Sequence, residues 1–286
     1  MLNNTRPLPA SLPFSQIAPQ LQNQLLSELP AEDGHALRAG FEDVQLAAGT
    51  TLYEAGTALR HVYFPTTAIV SLTSTMQSGA TAEVAVVGHE GIVGVCAYMG
   101  HGRSLSSALV QGAGHAWRMP APAIRQAAQQ SPALMQALLG YTQALFAQMA
   151  QTSACSRHHS LDQQLCRWLL LHLDLLPSAE MAVTQERIAH MLGVRREGVT
   201  MAALKLQKAG LIRYGRGRIE VIDRSGLEAR SCECYAVMRG AQERLSQTVG
   251  LTRGAHQSAH QHQQPHFHAA PFYRRQGMQA LASVAG

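Results

Sequence analysis

The side chains with the most definite chemistry are basic residues concentrated between positions 184 and 230. That stretch carries ten Lys or Arg residues against five acids, whereas residues 1–183 carry eight against eleven. Arg196 and Glu197 are adjacent within it. A guanidinium can donate two hydrogen bonds to guanine O6 and N7, and a carboxylate can accept one from cytosine N4. Surrounding cations can neutralise phosphates, so this chemistry favours a nucleic-acid partner over a merely solvated basic face.

Two short helices and a hairpin must position these side chains. In residues 184–192, Thr184 can cap the first turn and Gly193 supplies the left-handed turn that ends the helix. A second helix is predicted from about Arg195 to Lys208. Around the Gly-Arg-Gly of residues 215–217, apolar and polar residues alternate, which predicts a hairpin. The predicted apolar positions of the two helices are Ile188, Ala189, Met191, Leu192, Val199, Ala203, Leu204 and Leu206.

The block from Val183 to Asp223 resembles the winged helix-turn-helix DNA-binding domain of the Crp/Fnr family of bacterial transcription regulators. The resemblance rests on TQERIAHMLGVRREGVTMAALKLQKAGLIRYGRGRIEVID. It implies that the second helix enters the major groove, and it makes these residues candidate DNA contacts: Thr184, Gln185, Arg195, Arg196, Glu197, Thr200, Met201, Lys205, Lys208, Arg216 and Arg218. Glu197 can instead pair with Arg196 within the helix. Family members often carry Arg where Met201 stands, so a different operator preference is expected.

Upstream of this block the pattern predicts an α+β protein. Residues 16–40 contain Leu21, Leu25, Leu26 and Leu29 before Pro30, which predicts short helices. From about residue 41 to 118, short apolar runs broken by glycine predict an antiparallel β-roll. The expected domains are a disordered terminus (1–15), a cyclic-nucleotide-binding-like β-roll with flanking helices (16–132), a dimerisation helix (133–156), the winged helix-turn-helix (157–235) and a His/Gln-rich tail (236–286).

The predicted dimerisation helix carries two apolar stripes. Leu134, Leu138, Tyr141 and Leu145 follow the 4-3-4 spacing of a coiled-coil seam. Beside them runs a second stripe of Met135, Leu139, Phe146 and Met149. Two stripes suit a helix that packs on its own β-roll and on a second copy of the chain, although a buried helix in a monomer remains an alternative. A homodimer would present two recognition helices about 34 Å apart to a palindromic operator.

The β-roll resembles the cyclic-nucleotide-binding fold of the same family. The resemblance makes Gly94 and the pair Arg103-Ser104 candidate effector ligands. Val95 stands where the ribose-binding Glu of cyclic-AMP sensors would fall, and losing that carboxylate removes the acceptor for a buried sugar hydroxyl. We therefore expect no cyclic-nucleotide cofactor. As an alternative to its role as an effector ligand, Arg103 can be an ordinary surface residue.

Five cysteines at irregular spacing favour a reducing compartment over a disulfide framework. No cysteine precedes Cys96, so the iron–sulfur cofactor of some family members is not expected. Cys232 and Cys234 could begin a soft-metal site, but two more ligands would be needed. Cys155 and Cys166 are interpreted as small packing residues, so no metal ligand is assigned. The tail could hold metals loosely or be disordered, and its candidate ligands are His256, His260, His262, His266 and His268.

Several classes of function are disfavoured. No run of eighteen apolar residues predicts a membrane span, and the first residues lack a secretory pattern, so a cytoplasmic location is expected. The sequence contains no phosphate loop, GxSxG or HExxH motif. His158-His159 beside Cys155 could suggest a nucleophile and a base, but no apolar residues surround them, so an enzyme is not expected. The expected partners are double-stranded DNA, a second copy and, for activation, RNA polymerase. The alternative is a ligand- or metal-responsive sensor whose helix-turn-helix contacts protein partners.

Overall fold

A β-roll, a long helix and a smaller helical domain follow one another along the chain. They are seen in a computed structural model that describes residues 6–7, 22–100 and 102–243. The predicted α+β fold class, with an antiparallel β-roll, a long helix and a C-terminal helix-turn-helix, is confirmed. The His-rich stretch that contains His256 and His268 lies outside the described residues. Within the segment expected to be disordered, Arg6–Pro7 forms a short strand (β1), which pairs through its backbone and so needs no apolar pattern.

Two short helices precede the β-roll. Asn23 caps α1 (Gln24–Ser27) by accepting a hydrogen bond from the Leu26 N–H, and α2 (Ala31–Arg38) starts directly after Pro30. Leu25, Leu26 and Leu29 are buried in the main core as their spacing predicts. The Asn23 amide also donates to the Pro65 and Gly91 carbonyls, at 2.9 and 2.8 Å. These bonds fix α1 to the β-roll.

Two antiparallel four-stranded sheets form the β-roll. Its further elements are β2 (Glu42–Leu46), β3 (Thr51–Tyr53), β4 (His61–Pro65), β5 (Ile69–Thr75), β6 (Thr81–Val87), α3 (Cys96–Met99), β7 (Ser107–Gly112) and β8 (Gly114–Pro120). The strand orders are β1-β2-β8-β4 and β3-β7-β5-β6. The sheets enclose buried apolar side chains that include Val62, Phe64, Val70 and Val110. The prediction of an antiparallel roll between residues 41 and 118 is thus confirmed.

Helix α4 (Ala121–Gln130) leads into the long helix α5 (Pro132–His158). Of the two predicted stripes, the one with coiled-coil spacing faces the β-roll: Leu134, Leu138, Tyr141 and Leu145 are buried in the β-roll core of the same chain. The 4-3-4 spacing identifies a buried face without saying what covers it. In the second stripe, Leu139 and Phe146 are each 52% exposed.

After α5 the chain forms a helical domain with a small sheet. Its elements are α6 (Leu161–Leu173), β9 (Glu180–Ala182), α7 (Gln185–Leu192), α8 (Arg196–Lys208), β10 (Ile212–Gly215), β11 (Arg218–Val221) and α9 (Arg224–Arg230). The hairpin of β10 and β11 was predicted. Strand β9, which adds to it in the order β10-β11-β9, was not. Residues 234–243 are helical, so the expected start of the tail at 236 falls inside this helix.

The β-roll and the C-terminal domain share one hydrophobic cluster. Ile69 and Val86 of the β-roll are buried together with Leu165, Trp168 and Leu169 of α6. Across the same boundary, His172 Nε2 lies 3.5 Å from a Glu83 carboxylate oxygen. The orientation of the C-terminal domain is therefore set by packing against its own β-roll.

Candidate nucleic-acid interface

The turn between α7 and α8 forms as its residue types predict. The Thr184 hydroxyl accepts a hydrogen bond from the Arg187 N–H at 3.2 Å and caps the start of α7. Gly193 ends α7 with a φ of 66°, a conformation that costs a residue with a side chain about 1–2 kcal/mol. Ile188 of α7 and Val199 and Leu206 of α8 are buried in one hydrophobic cluster. The angle between α7 and α8 is therefore fixed by a cap, a glycine and a small apolar core.

One residue of the predicted apolar stripe of α8 is on the wrong face. Leu204 is 46% exposed, whereas Ala202, Ala203 and Leu206 are buried. Consecutive residues of a helix point about 100° apart, so Leu204 leaves the buried face that Ala203 occupies. Its exposure adds an apolar side chain to the outer face of α8.

The outer face of α8, called the recognition helix below, carries the predicted base-reading groups. Arg196, Glu197 and Met201 are exposed, and Met201 is 58% exposed. No ion pair joins Glu197 to Arg196 or to any other described residue, so the alternative of an intrahelical pair is not observed. Two further candidates are bonded to each other, because the Thr200 hydroxyl donates to the Gln185 side chain at 2.7 Å and braces α7 against α8.

Folding pairs some of the predicted phosphate contacts with carboxylates from distant elements. Lys205 Nζ lies 3.1 Å from Asp162 Oδ2 of α6, and Arg218 Nη1 lies 2.8 Å from Glu180 Oε1 of β9. The hydrogen bond to Glu180 raises the pKa of the Arg218 guanidinium. The two carboxylates lie 43 and 38 residues away along the chain, so these pairs could not be predicted from the neighbouring residues. In the described part of the chain, the candidate cations without an ion-pair partner are Arg195, Arg196, Lys208 and Arg216.

The hairpin of β10 and β11, called the wing below, carries one of those cations at its tip. Arg216 and Gly217 have φ values of 52° and 75°. Two successive positive φ angles are the signature of a type I′ turn, which joins strands with a two-residue loop. Arg216 is thereby held at the tip of the wing in a conformation that few residues with a side chain adopt. The Tyr214 hydroxyl accepts from the Gln185 N–H at 3.1 Å, which ties the wing to α7.

The first helix of the motif is bonded to the β-roll, a contact that the sequence did not predict. Arg187 Nε donates to Gln111 Oε1 at 2.7 Å, and its Nη2 donates to the Val110 carbonyl at 3.2 Å. A Cβ added at Gly193 would lie 3.3 Å from Ala82 Cβ of β6. The helix-turn-helix is thus seated against the β-roll sheet that contains β6 and β7.

The predicted effector residues all border the loop between β3 and β4. Gly94 has a φ of 107°, and a Cβ there would meet Val62 and Leu59. Arg103 Nη1 donates to the Gly56 carbonyl at 2.9 Å, and the Ser104 hydroxyl donates to the Ser106 carbonyl at 2.6 Å. Both polar side chains are therefore engaged within the protein.

Val95 stands at the start of α3 and packs, partly buried, against the β-roll core. It offers no acceptor for a ribose hydroxyl at that place. Burial also raises the pKa of Tyr53, which lies near Ser104. A neutral phenol there adds no charge toward a phosphate.

Taken together, these elements define a two-domain transcription regulator, with a β-roll in front of a DNA-binding winged helix-turn-helix. Two family models match the chain: the cyclic nucleotide-binding domain over residues 43–131 and the Crp-like helix-turn-helix domain over residues 163–230. Together they cover more than half of its length. The chain belongs to the Crp/Fnr family of transcription regulators, whose members in these comparisons are regulators and not enzymes.

Solved structures with the same fold come from several bacteria. FixK2 from Bradyrhizobium japonicum has a TM-score of 0.57 at 16% identity, with 67% of this chain and 98% of that chain covered. A CRP/FNR-family regulator from Thermus thermophilus has a TM-score of 0.55 at 22% identity, covering 66% and 97%. The c-di-GMP-responsive global regulator CLP from Xanthomonas campestris has a TM-score of 0.54 at 15% identity, covering 67% and 99%. A comparison with curated proteins gives no significant match. No helix among the described residues is long and apolar enough to span a bilayer.

Proposed function

We propose that the chain acts as a homodimer that reads a palindromic operator with its two recognition helices and changes its DNA affinity in response to a signal at the β-roll. The observation that carries this proposal is the exposure of Arg196 and Glu197 beside cations that have no ion-pair partner among the described residues. Such groups can contact DNA without first breaking a bond within the protein. The unpaired cations supply non-specific affinity and the adjacent pair supplies sequence preference.

The assigned roles follow from hydrogen-bonding chemistry. Arg196 donates to guanine, Glu197 accepts from cytosine, and Met201 contacts a thymine methyl group in the major groove. Lys208 and Arg216 neutralise phosphates at the two ends of the motif. Thr200 and Gln185 support the recognition helix through their mutual bond. Lys205 and Arg218 contact phosphate only if their carboxylate partners are released, so they contribute less.

The dimer forms through the exposed face of α5. Leu139 and Phe146 are seven residues apart, half-exposed and on the same side of the helix, away from the face that is buried in the β-roll. A heptad-spaced apolar pair on a long helix is the pattern of a helix that meets its own copy. Two chains joined in this way bring two recognition helices to one duplex, and a two-fold protein matches a palindromic site.

The residues of the β-roll restrict which small molecule can act as the signal. Arg103 is bonded to the Gly56 carbonyl and Val95 offers no acceptor, so the residues do not fit ribose and cyclic phosphate together. We infer that cyclic AMP is not the effector. Calorimetric titration with cyclic AMP should give no binding in the micromolar range, and a micromolar dissociation constant would contradict this inference.

Selection of bound fragments from genomic DNA, followed by titration of the best fragment at several salt concentrations, tests the main proposal. The selected sequences should share an inverted repeat with half-sites about one helical turn apart. Affinity should fall linearly on a log–log plot as salt rises, because bound cations release counterions from DNA. Equal affinity for selected and scrambled duplexes under all conditions would refute the proposal.

The alternative, in which the recognition helix binds a protein, is favoured by one observation. Met201 and Leu204 place two half-exposed apolar side chains on α8. Replacing Leu204 alone by Gln distinguishes the two functions, because Met201 is itself assigned a base contact. Loss of sequence-selective DNA binding is not expected from Leu204→Gln alone, whereas a protein-binding helix would lose its partner.

A further inference from the structure

The fold brings three cysteines and one histidine from distant parts of the chain to one place. Cys155 lies in the last turns of α5, His159 caps the end of that helix, and Cys232 and Cys234 follow α9. The Sγ atoms of the three cysteines and a ring nitrogen of His159 all lie within 4.8 Å of one another. The sequence offered only the Cys232-Cys234 pair and lacked two ligands. Folding supplies those two from the end of α5. These four residues are called the thiol cluster below.

The spacing within the thiol cluster is close to that around a single tetrahedral ion. Zn–S bonds of about 2.3 Å and Zn–N bonds of about 2.1 Å imply edges of roughly 3.8 Å between sulfurs and roughly 3.6 Å between sulfur and nitrogen. The Sγ atoms of Cys155 and Cys232 are 3.5 Å apart, and Cys234 Sγ is 3.4 Å from His159 Nδ1. The ligand set is therefore nearly assembled before any ion binds.

Groups outside the thiol cluster orient its members as they do in metal sites. Glu233 Oε1 lies 3.2 Å from His159 Nε2, which leaves Nδ1 facing the sulfurs. A carboxylate on the distal nitrogen fixes the tautomer and raises the basicity of a metal-bound imidazole. The Gln151 amide donates to Cys234 Sγ at 3.1 Å. Cysteines that only filled space in the core would need neither the carboxylate on His159 nor the amide on Cys234.

A buried guanidinium near the thiol cluster also favours an anionic metal site. All three cysteines are buried, and Arg167 lies close enough to Cys155 to interact with it electrostatically. Arg167 is 4% exposed, its Nε has no hydrogen-bond partner, and it forms no ion pair with a described residue. A divalent ion with three thiolates and one neutral imidazole carries a net charge of −1. That charge would compensate the buried guanidinium.

We propose that Cys155, His159, Cys232 and Cys234 bind one Zn²⁺ ion in a closed tetrahedral site that fastens the end of the long helix to the segment after the wing. Zn²⁺ suits three thiolates and one imidazole, and binding releases the thiol protons to solvent. A disulfide is the competing chemistry for these cysteines. It would join only two of the sulfurs and would leave Cys234, His159 and its carboxylate partner without a role.

Elemental analysis and cobalt substitution test the proposal on the full chain without DNA. The chain purified under reducing conditions should carry one zinc per polypeptide, and Co²⁺ should give a thiolate-to-metal absorption band typical of tetrahedral coordination. The His-rich tail contains no cysteine, so it cannot produce that band. Cys234→Ser should abolish the band. Cys166→Ser should preserve it, because Cys166 is buried in a different cluster.

If the cysteine variants fail to fold, a variant of the exposed residue Glu233 still tests the proposal. Glu233→Ala should weaken zinc affinity about 10- to 100-fold in competition with a chromophoric chelator. Glu243→Ala is the matched control, because it removes another exposed carboxylate, one bonded to Arg239, from the same helical segment. Three results would overturn the proposal. The first is that the reduced wild-type chain gives no cobalt–thiolate band, and the second is that Cys155 and Cys232 form a disulfide in the resting state. The third is that the two glutamate variants weaken zinc binding equally.

Discussion

Replacement of Arg196 by Ala separates recognition of bases from recognition of phosphates. The Arg196 side chain is exposed and forms no ion pair with a described residue, so its removal should change the free energy of unfolding by less than about 0.5 kcal/mol. A bidentate contact with guanine contributes about 1–3 kcal/mol of discrimination. A symmetric dimer loses that contact twice, so specific binding should weaken by about 2–6 kcal/mol, or roughly 30-fold to 20 000-fold.

Fluorescence anisotropy with the selected operator and with a scrambled duplex measures this effect. Arg196→Ala should lower the ratio of specific to non-specific affinity, since the specific complex loses its base contact. Lys208→Ala should weaken both duplexes about equally and reduce the salt slope by about one per subunit. Arg218→Ala is a matched control on the wing, because its guanidinium is already bonded to Glu180 and should contribute less than Lys208.

Two results would refute this reasoning. The first is an unchanged affinity ratio for Arg196→Ala in a chain that remains folded and dimeric. The second is a change of base preference in Lys208→Ala, since a phosphate contact carries no sequence information. A larger loss for Arg218→Ala than for Lys208→Ala would show in addition that DNA displaces the Glu180 carboxylate.

The remaining predictions concern assembly, packing and the contact between domains. Phe146→Glu should convert the dimer to a monomer in light scattering, whereas Ala147→Glu, one position along α5, should not; dimers in both variants would exclude this face. Gly91→Ala would place a Cβ 2.1 Å from the Tyr141 ring and should cost about 1–3 kcal/mol of stability in chemical denaturation, so an unchanged midpoint would contradict the packing. Arg187→Ala removes both bonds to the β-roll and should speed hydrogen exchange of α7 amides; unchanged protection would mean that apolar packing alone seats this helix.

Local signals in the sequence were sufficient to predict the helix-turn-helix. The cap at Thr184, the left-handed turn at Gly193 and the tight turn at Arg216-Gly217 each depend on residues within a few positions of one another. The apolar periodicity of α7 and α8 then located most of their buried faces. Leu204 was misassigned because it lies beside the true stripe, and small alanines fill the tight contact between helices where a leucine was expected.

Contacts between distant segments could not be predicted in the same way. The partners of Lys205 and Arg218 lie 43 and 38 residues away, and the thiol cluster joins positions 77 residues apart. Strand β9 is three residues long and is defined by pairing with β11, so it has no pattern of its own. The two faces of α5 are equally apolar in sequence, and only the tertiary fold assigns Leu134 and Leu138 to the β-roll.

Strand β6 makes contacts through which the proposed signal would pass from the β-roll to the helix-turn-helix. Its Ala82 contacts the turn at Gly193, its Glu83 faces the buried His172, and its Val86 belongs to the cluster shared with α6. A ligand that moves β6 therefore changes all three contacts together. To turn a population from 1:99 to 99:1, a ligand must prefer the active state by about 5.5 kcal/mol. Three contacts that change together contribute to such a preference jointly, whereas a single contact would have to supply all of it.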